Sequence, residues 1–371
     1  MLNQNEQRVL ELLEANPFLS QQEVADRLAM NRSTVATIIS TLMAKKQLLG
    51  RAYIVNRQQD VYCIGAMNVD RKFTLQQPLV PKTSNPVSSS MSVGGVARNI
   101  AENLGRLGQR VSLLSVAGRD QDYEWVKQQS EPHINFQHVT QLTGYATSAY
   151  SAILDESGEM QLALADMAIC DQMTADWLTS HRPLLAQAKM IVLDLNAPLA
   201  TVEAVIEIAR HYQLDLVVIP VSSPKMNHLP RNLAGVTWLI VNQDESETFF
   251  DRRVRTNEDF EALAELWLEA GVANVAITRG KKTSYYANQA GVRTHYQPPV
   301  VSEVVDVTGA GDSFAAGLVY GQLSGRTPAE SIGLAMTNAY YTIQSSQTVR
   351  PELNEATLLN DYQYLQKEGV I

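Results

Sequence analysis

Two cysteines in 371 residues, Cys63 and Cys170, are too few for a disulfide framework or a thiolate metal cluster. The chain therefore suits a reducing cytoplasm, and Cys63, inside the apolar run Val61-Tyr62-Cys63-Ile64, reads as a core thiol. No apolar run is long enough to span a bilayer, so a membrane partner is not expected. The polar start Asn3–Gln7 does not resemble a signal peptide. Positive charge is scarce too. A net charge of −9 argues against general polyanion binding by the whole chain.

What is present is apolar: 45% of residues are hydrophobic and 19% charged, enough for a sizeable core. The length allows two domains. The charge is uneven. Residues 1–58 carry seven Lys/Arg and five Asp/Glu, a net of +2, which leaves −11 on the remainder. A mildly basic head on an acidic body suggests two modules with different partners.

In the head, Val9, Leu10, Leu12 and Leu13 give Gln7–Ala15 an amphipathic helical pattern that Asn16-Pro17 stops. Ser20 and Glu23 form a capping-box pair before a helix over Gln21–Leu28. After the Asn31-Arg32-Ser33 turn, Val35, Ile38, Ile39, Leu42 and Met43 mark a third helix over Thr34–Lys46. Leu49–Val55 reads as a small β-wing. The head resembles winged helix-turn-helix domains of bacterial regulators. The resemblance implies DNA as a partner. Arg32, Ser33 and Thr34 would start the helix that enters the major groove, and Lys45, Lys46 and Arg51 would meet phosphates. The other reading is a packing or dimerisation module. Arg57-Gln58-Gln59-Asp60 is a polar hinge, so the domains are drawn as 1–58 and 60–371.

In the body, strand-like runs alternate with helical patterns. The strands are Val61–Ala66, Val111–Val116, Lys189–Asp194, Asp215–Ile219, Thr237–Val241 and Asn274–Thr278. Helices are expected over 97–107, 199–211 and 258–270. This is an α/β pattern with a mainly parallel sheet, which gathers ligands at the carboxyl ends of its strands. Ser148–Leu154 and Met160–Ala165, joined by Asp155–Glu159, form a hairpin signal instead. With short strands at Phe73–Leu75 and Ser88–Val93 they predict a small β lid over about 71–93 and 145–166, the alternative being a surface hairpin.

Three stretches carry chemistry. Gly65-Ala66-Met67-Asn68-Val69-Asp70 follows the first strand, and Asp70 offers a carboxylate to sugar hydroxyls. Gly94-Gly95-Val96-Ala97-Arg98-Asn99 opens a helix; its glycines permit close approach, and Asn99 supplies a donor and an acceptor. Asp306-Val307-Thr308-Gly309-Ala310-Gly311-Asp312-Ser313-Phe314 is a small-residue loop at a helix start, whose free N–H groups attract anions. An aspartate beside such a spot can take the proton of a hydroxyl that attacks a phosphorus.

The last string resembles the C-terminal signature of the ribokinase-like sugar and nucleoside kinases, the PfkB family, and the likeness covers nearly all of 60–371. It implies a three-layer α/β/α domain with a β-sheet lid, and ATP and Mg²⁺ as cofactors. It implies Asp312 as general base beside the N–H groups of Gly309, Ala310 and Gly311. Around the acceptor it implies Asn68, Asp70, Gly94, Gly95, Arg98, Asn99, Thr147 and Asp166. Around ATP it implies Asn242, Glu245, Thr278, Gly280, Thr308, Asn338 and Lys225. Glu245 would hold Mg²⁺ through water; Asp306 and Thr308 would hold a monovalent cation such as K⁺. Lid strands in the family often pair two subunits, so a homodimer is expected.

Arg98, Thr147-Ser148-Ala149-Tyr150, Asp166-Met167, Pro220-Val221-Ser222 with Lys225, and Asp194-Leu195-Asn196 resemble the pseudouridine kinase branch. Ala168 and Ile219 depart from it, where those enzymes tend to have Asn and Asp. The reading is an ATP-dependent kinase of a nucleoside 5′-hydroxyl, with pseudouridine foremost. The alternatives are another nucleoside, a ribose- or fructose-type sugar, or a transcription regulator that uses the kinase fold as a ligand sensor.

Overall fold

A computed structural model describes residues 2–15, 19–50 and 60–371. The Asn16-Pro17 stop, Arg51, most of the expected wing and the hinge residues Arg57–Gln59 lie outside the described residues. The chain forms two compact units, Met1–Gln58 with Asp176–Gln187, and Gln59–Ala175 with Ala188–Ile371.

The first unit contains α1 (Gln4–Ala15), α2 (Gln21–Leu28) and α3 (Arg32–Ala44). Ser20 and Glu23 make the expected capping box on α2. Val9, Val24, Val35 and Leu42 are fully buried between the three helices, as the 3.6-residue spacing requires. Arg32, Ser33, Thr34, Thr37 and Ser40 lie exposed along α3. Lys45, assigned to a DNA phosphate from sequence, is 2.7 Å from Glu6. Residues 176–187 belong to this unit, and Arg182 donates to Glu23 at 2.6 Å.

The second unit begins with β1 (Val61–Ile64), β2 (Asn68–Leu75), β3 (Val87–Gly94), α4 (Val96–Arg106) and β4 (Val111–Gly118). There follow α5 (Gln121–Ser130), β5 (Val139–Leu142), β6 (Ala149–Leu154) and β7 (Met160–Asp166). The helix α6 (Ala175–Leu185), most of which clusters with the first unit, leads to β8 (Met190–Asp194), α7 (Leu199–Tyr212), β9 (Leu216–Ile219), β10 (Trp238–Asn242) and α8 (Gln243–Phe250). The chain ends with α9 (Asn257–Glu269), β11 (Asn274–Arg279), β12 (Lys282–Asn288), β13 (Arg293–Tyr296), α10 (Ala310–Leu323), α11 (Pro328–Thr342) and α12 (Glu355–Lys367).

Among the described residues these strands make a nine-stranded sheet in the order β13-β12-β11-β10-β9-β8-β1-β4-β5. The seven strands from β11 to β5 run parallel, with β12 and β13 antiparallel at one edge. All six expected body strands are in it, and the central ones are buried end to end, as a sheet covered on both faces requires. The chain leaves β1 to one side for β4 and β5, then returns to the other side for β8 to β11. The order reverses beside β1, which places the crevice of an open α/β sheet at the carboxyl ends of β1 and β8.

The lid is a separate four-stranded sheet, β3-β2-β6-β7. It starts earlier than expected. Asn68–Asp70 was read as a loop after β1 but forms the first residues of β2, paired with β3 from Asn68↔Gly94 to Leu75↔Val87. The polar sequence Asn-Val-Asp-Arg-Lys hid this strand: its pairing comes from β3 and β6, not from its own propensity.

Candidate active site

Strand parity decides which lid side chains share a face. Asp70 pairs with Ser92 on one side and Tyr150 on the other, so these three point together, and Asn68 and Lys72 follow at steps of two. On the opposite face, Arg71, Phe73, Met91, Ile153, Leu162 and Leu164 share parity. Asp166 is in register with Ala149 and Val69, on that opposite face, and is exposed. The lid's register thus separates Asp166 from Asp70.

Asp194, at the end of β8, organises the crevice. Its carboxylate accepts from the N–H of Ala66 (3.0 Å), Ala97 (2.9 Å) and Asn196 (2.8 Å). It thereby fixes the loop after β1 and the start of α4 against one another. A Cβ on Gly65 would overlap this carboxylate, and one on Gly95, at φ +99°, would overlap the Ala66 carbonyl. Burial pushes the Asp194 carboxyl up to about 6 against the pull of those three bonds.

The acceptor-side residues meet at this crevice. Asn68 Nδ2 donates to Asp70 Oδ1 at 2.5 Å, and a Cβ on Gly94 would overlap Asp70 Oδ2. Asn99 Nδ2 donates to Asp312 Oδ2 at 2.7 Å. Arg98 lies behind Asn99, fully buried. It donates to Asn99 Oδ1 and Ser130 Oγ, both at 2.9 Å, and pairs with Glu102. The guanidinium therefore sets the amide so that its N–H₂ faces Asp312, rather than facing an acceptor itself. Thr147 is also engaged: its N–H and Oγ1 donate to Asp120 at 2.7 Å, while Oγ1 accepts from the Gly118 N–H at 3.0 Å.

Asp312 stands in the first turn of α10, whose N-cap is Gly309 at φ +83°. A Cβ there would overlap the Thr348 carbonyl, so glycine is required. Gly311 and Asp312 precede the helix's own hydrogen-bond ladder, so their N–H groups point out of its positive end. Burial pushes the half-buried Asp312 carboxyl up to about 7; Asp194 and Asp70 add to this, while Asn99 and Arg98 oppose it. A carboxylate that gains a proton near neutrality is suited to general-base work.

Beside Gly311 opens a cleft of about 580 Å³, lined by Thr278, Gly280, Pro299, Val307, Phe314 and Tyr340 among others. Its mostly apolar wall and the N–H groups at its end suit a flat ring carrying phosphates. Asn338 is not part of that wall. It is fully buried and donates to Asn103 Oδ1 and the Ser313 carbonyl, both at 2.9 Å. Its neighbours Met336, Ala339 and Tyr340 line the cleft instead. Asn242 and Glu245 form a capping box on α8, Asn242 N–H donating to Glu245 Oε2 at 2.8 Å. Burial pushes the Glu245 carboxyl up to about 7, and Asp244 adds to it. Lys225 lies in a short turn after β9 and its N–H donates to the Ser222 carbonyl; no hydrogen bond ties it to the residues above.

Sequence reasoning missed Lys72 in the site and the role of Asp194. Lys72 pairs with Asp306 of the signature loop, whose Oδ1 also accepts from the N–H and Oγ1 of Thr308. Period-two spacing from Asp70 would have found Lys72 had β2 been recognised.

Residues 58–355 match the profile of the pfkB family of carbohydrate kinases, and residues 2–45 that of a winged helix-turn-helix DNA-binding family. The protein described as "Uncharacterized sugar kinase YeiI" from Escherichia coli (strain K12) is 29% identical over 97% of this chain and 99% of its own length. The pseudouridine kinase of the same organism is 30% identical over 82% of this chain and 97% of its own. Among solved structures, a carbohydrate kinase from Agrobacterium tumefaciens superposes with a TM-score of 0.72 at 27% identity, covering 82% of this chain and 97% of that one. No described helix is long and apolar enough to cross a membrane.

Proposed function

Because the chain belongs to the pfkB family of carbohydrate kinases, we propose that it transfers the γ-phosphoryl group of ATP to the primary 5′-hydroxyl of a nucleoside, pseudouridine foremost. The family gives the reaction class, a phosphotransfer to a hydroxyl; the acceptor and the residue roles are our reading. One observation carries it: Asn99 holds the Asp312 carboxylate beside the free N–H groups that open α10.

Asp70 and Asn68 hold the ribose hydroxyls, and Gly94 leaves room for them. Asp312 takes the proton of the attacking 5′-hydroxyl. That oxygen bonds to the γ-phosphorus as the bond to the β,γ-bridging oxygen breaks and ADP leaves. The N–H groups of Gly311 and Asp312 meet the charge on the moving phosphoryl group. The donor set fits Mg²⁺ held through water: one Glu245 oxygen is engaged by Asn242 N–H, leaving Oε1 for a metal-bound water. Mg²⁺ supplies charge neutralisation on the phosphates.

Pseudouridine is favoured by the similarity to the Escherichia coli enzyme; Arg98 and Thr147 add only a sequence likeness, since both are engaged by other residues of the chain. Initial rates of ADP release with pseudouridine, uridine, inosine, ribose and fructose test it. The reading requires pseudouridine to have the highest kcat/KM; a sugar or purine nucleoside ahead of it would overturn the acceptor assignment.

The apolar lid face with Met91, Leu162 and Leu164, all about half exposed, is proposed to pair two copies. The head, drawn as 1–58, is proposed to bind DNA through α3, on the match of residues 2–45.

A further inference from the structure

The family resemblance assigns Asp306 and Thr308 to a monovalent cation, and the carboxylate here does not fit one. Both Asp306 oxygens are engaged by donors of this chain. Oδ1 accepts from Thr308 N–H at 2.9 Å and from Thr308 Oγ1 at 2.7 Å. Oδ2 is bound by the ammonium of Lys72, from 234 residues away. A K⁺ ion would have to displace a full positive charge to reach this carboxylate.

We propose that the Lys72 ammonium stands in for a monovalent cation at the turn before the phosphate-binding helix, tying the lid to that turn and freeing the kinase from added K⁺. Three observations support it. Lys72 lies on the lid face that carries Asp70, one pleat further along β2, so its side chain points to the crevice by strand register. The pair is partly shielded, with 36% and 24% of the two side chains exposed, where an ion pair is screened less than on an open surface. The surroundings also demand a cation. Asp194 and Asp70 both repel the Asp312 carboxylate, and Asp306 adds to the repulsion at Asp70. Polyanionic ATP must enter beside them.

A bound K⁺ would be exchangeable with solvent, whereas the Lys72 ammonium is part of the chain. A lysine on β2 arrives only with the strand that carries Asp70. Ordering of the phosphate turn is therefore coupled to the lid strand that holds the acceptor.

This inference rests on the kinase activity of the family and not on which acceptor is used. Wild type, Lys72→Met and Lys72→Arg are compared as full chains in tetramethylammonium chloride and in KCl at equal ionic strength. ATP affinity by calorimetry and Tm are read first, then acceptor-dependent ADP release. Wild type is expected to change less than about twofold between the two salts. Lys72→Met is expected to bind ATP about tenfold more weakly without K⁺ and to recover most of that loss in KCl, with Tm rising as K⁺ binds the folded form. Lys72→Arg keeps the charge and should stay insensitive to K⁺, which separates loss of charge from loss of fold. Activation of wild type by K⁺ beyond about fivefold in ATP affinity would overturn the proposal, as would a Lys72→Met chain with wild-type affinity in both salts. If no tested acceptor releases ADP, the acceptor assignment fails, while ATP affinity and Tm still decide the role of Lys72.

Discussion

Asp312 is held in two environments at once. Burial, with a smaller push from Asp194 and Asp70, moves the carboxyl up to about 7, while Asn99 holds it in place for proton transfer. The free enzyme should therefore gain kcat/KM as pH rises to about 7, with one proton lost, and level off above it. A pH–rate profile flat from acid to neutral pH would count against Asp312 as the base. Two glycines separate packing from chemistry in the same way. A Cβ on Gly311 meets no atom within 4 Å, so Gly311→Ala should fold normally and lose phosphoryl transfer by about a hundredfold or more, because the methyl enters the anion's space. At Gly94 a Cβ overlaps Asp70 instead, so Gly94→Ala should raise the acceptor KM and leave ATP affinity unchanged. Steady-state kinetics beside a melting curve tests both. Asp312, Asp70 and the glycines could be picked out because each stands in a short string that matches a family motif. Asp194 and Lys72 could not, since their partners lie up to 128 and 234 residues away and only the fold unites them.

At the scale of elements, the sheet was readable from alternating apolar runs, and the lid hairpin from its turn. The missed strand start in β2 had a definite cost: read as a loop, Asn68–Asp70 has no parity, so neither the face shared by Asp70 and Lys72 nor the opposite face of Asp166 can be seen. Arg98, Thr147 and Asn338 were assigned to ligands on the family resemblance, by motif position alone. The structure gives each of them hydrogen-bond partners within the protein. Their substitution should therefore act through stability. Arg98→Leu leaves Glu102 with Arg106 as its cation and frees the Asn99 amide, a loss of about 3 kcal/mol in unfolding experiments. On α3 the exposed face is rich in hydroxyls, with Arg32 at its start. If it reads DNA, the full chain should retain an operator fragment at low salt, and Arg32→Ala should weaken retention about tenfold. No binding at low salt would leave the head a packing module.

Across the whole molecule, Asp194, Glu245 and Asp312 share one trend. Their carboxyls sit at about 6, 7 and 7 in the folded chain, above the ordinary carboxylate range. The folded state thus holds these protons more tightly than the unfolded one. Their stabilisation is complete below the unfolded values near 4 and is lost as pH rises through 6 to 7. Asp312→Asn should consequently be more stable than wild type at pH 8, by about 1–2 kcal/mol after screening at this half-buried position, and show little gain at pH 4. The uneven charge, +2 on residues 1–58 and −11 beyond, divides the chain near the boundary between the two family profiles.

The same substitution tests the central claim. Phosphoryl transfer from ATP to the best acceptor is measured for wild type and Asp312→Asn, with circular dichroism and ATP affinity recorded alongside. Loss of turnover by about a thousandfold or more, in a chain that folds and binds ATP as wild type does, is the expected result. Turnover near the wild-type rate would contradict Asp312 as the base and, with it, the proposed assembly of the site.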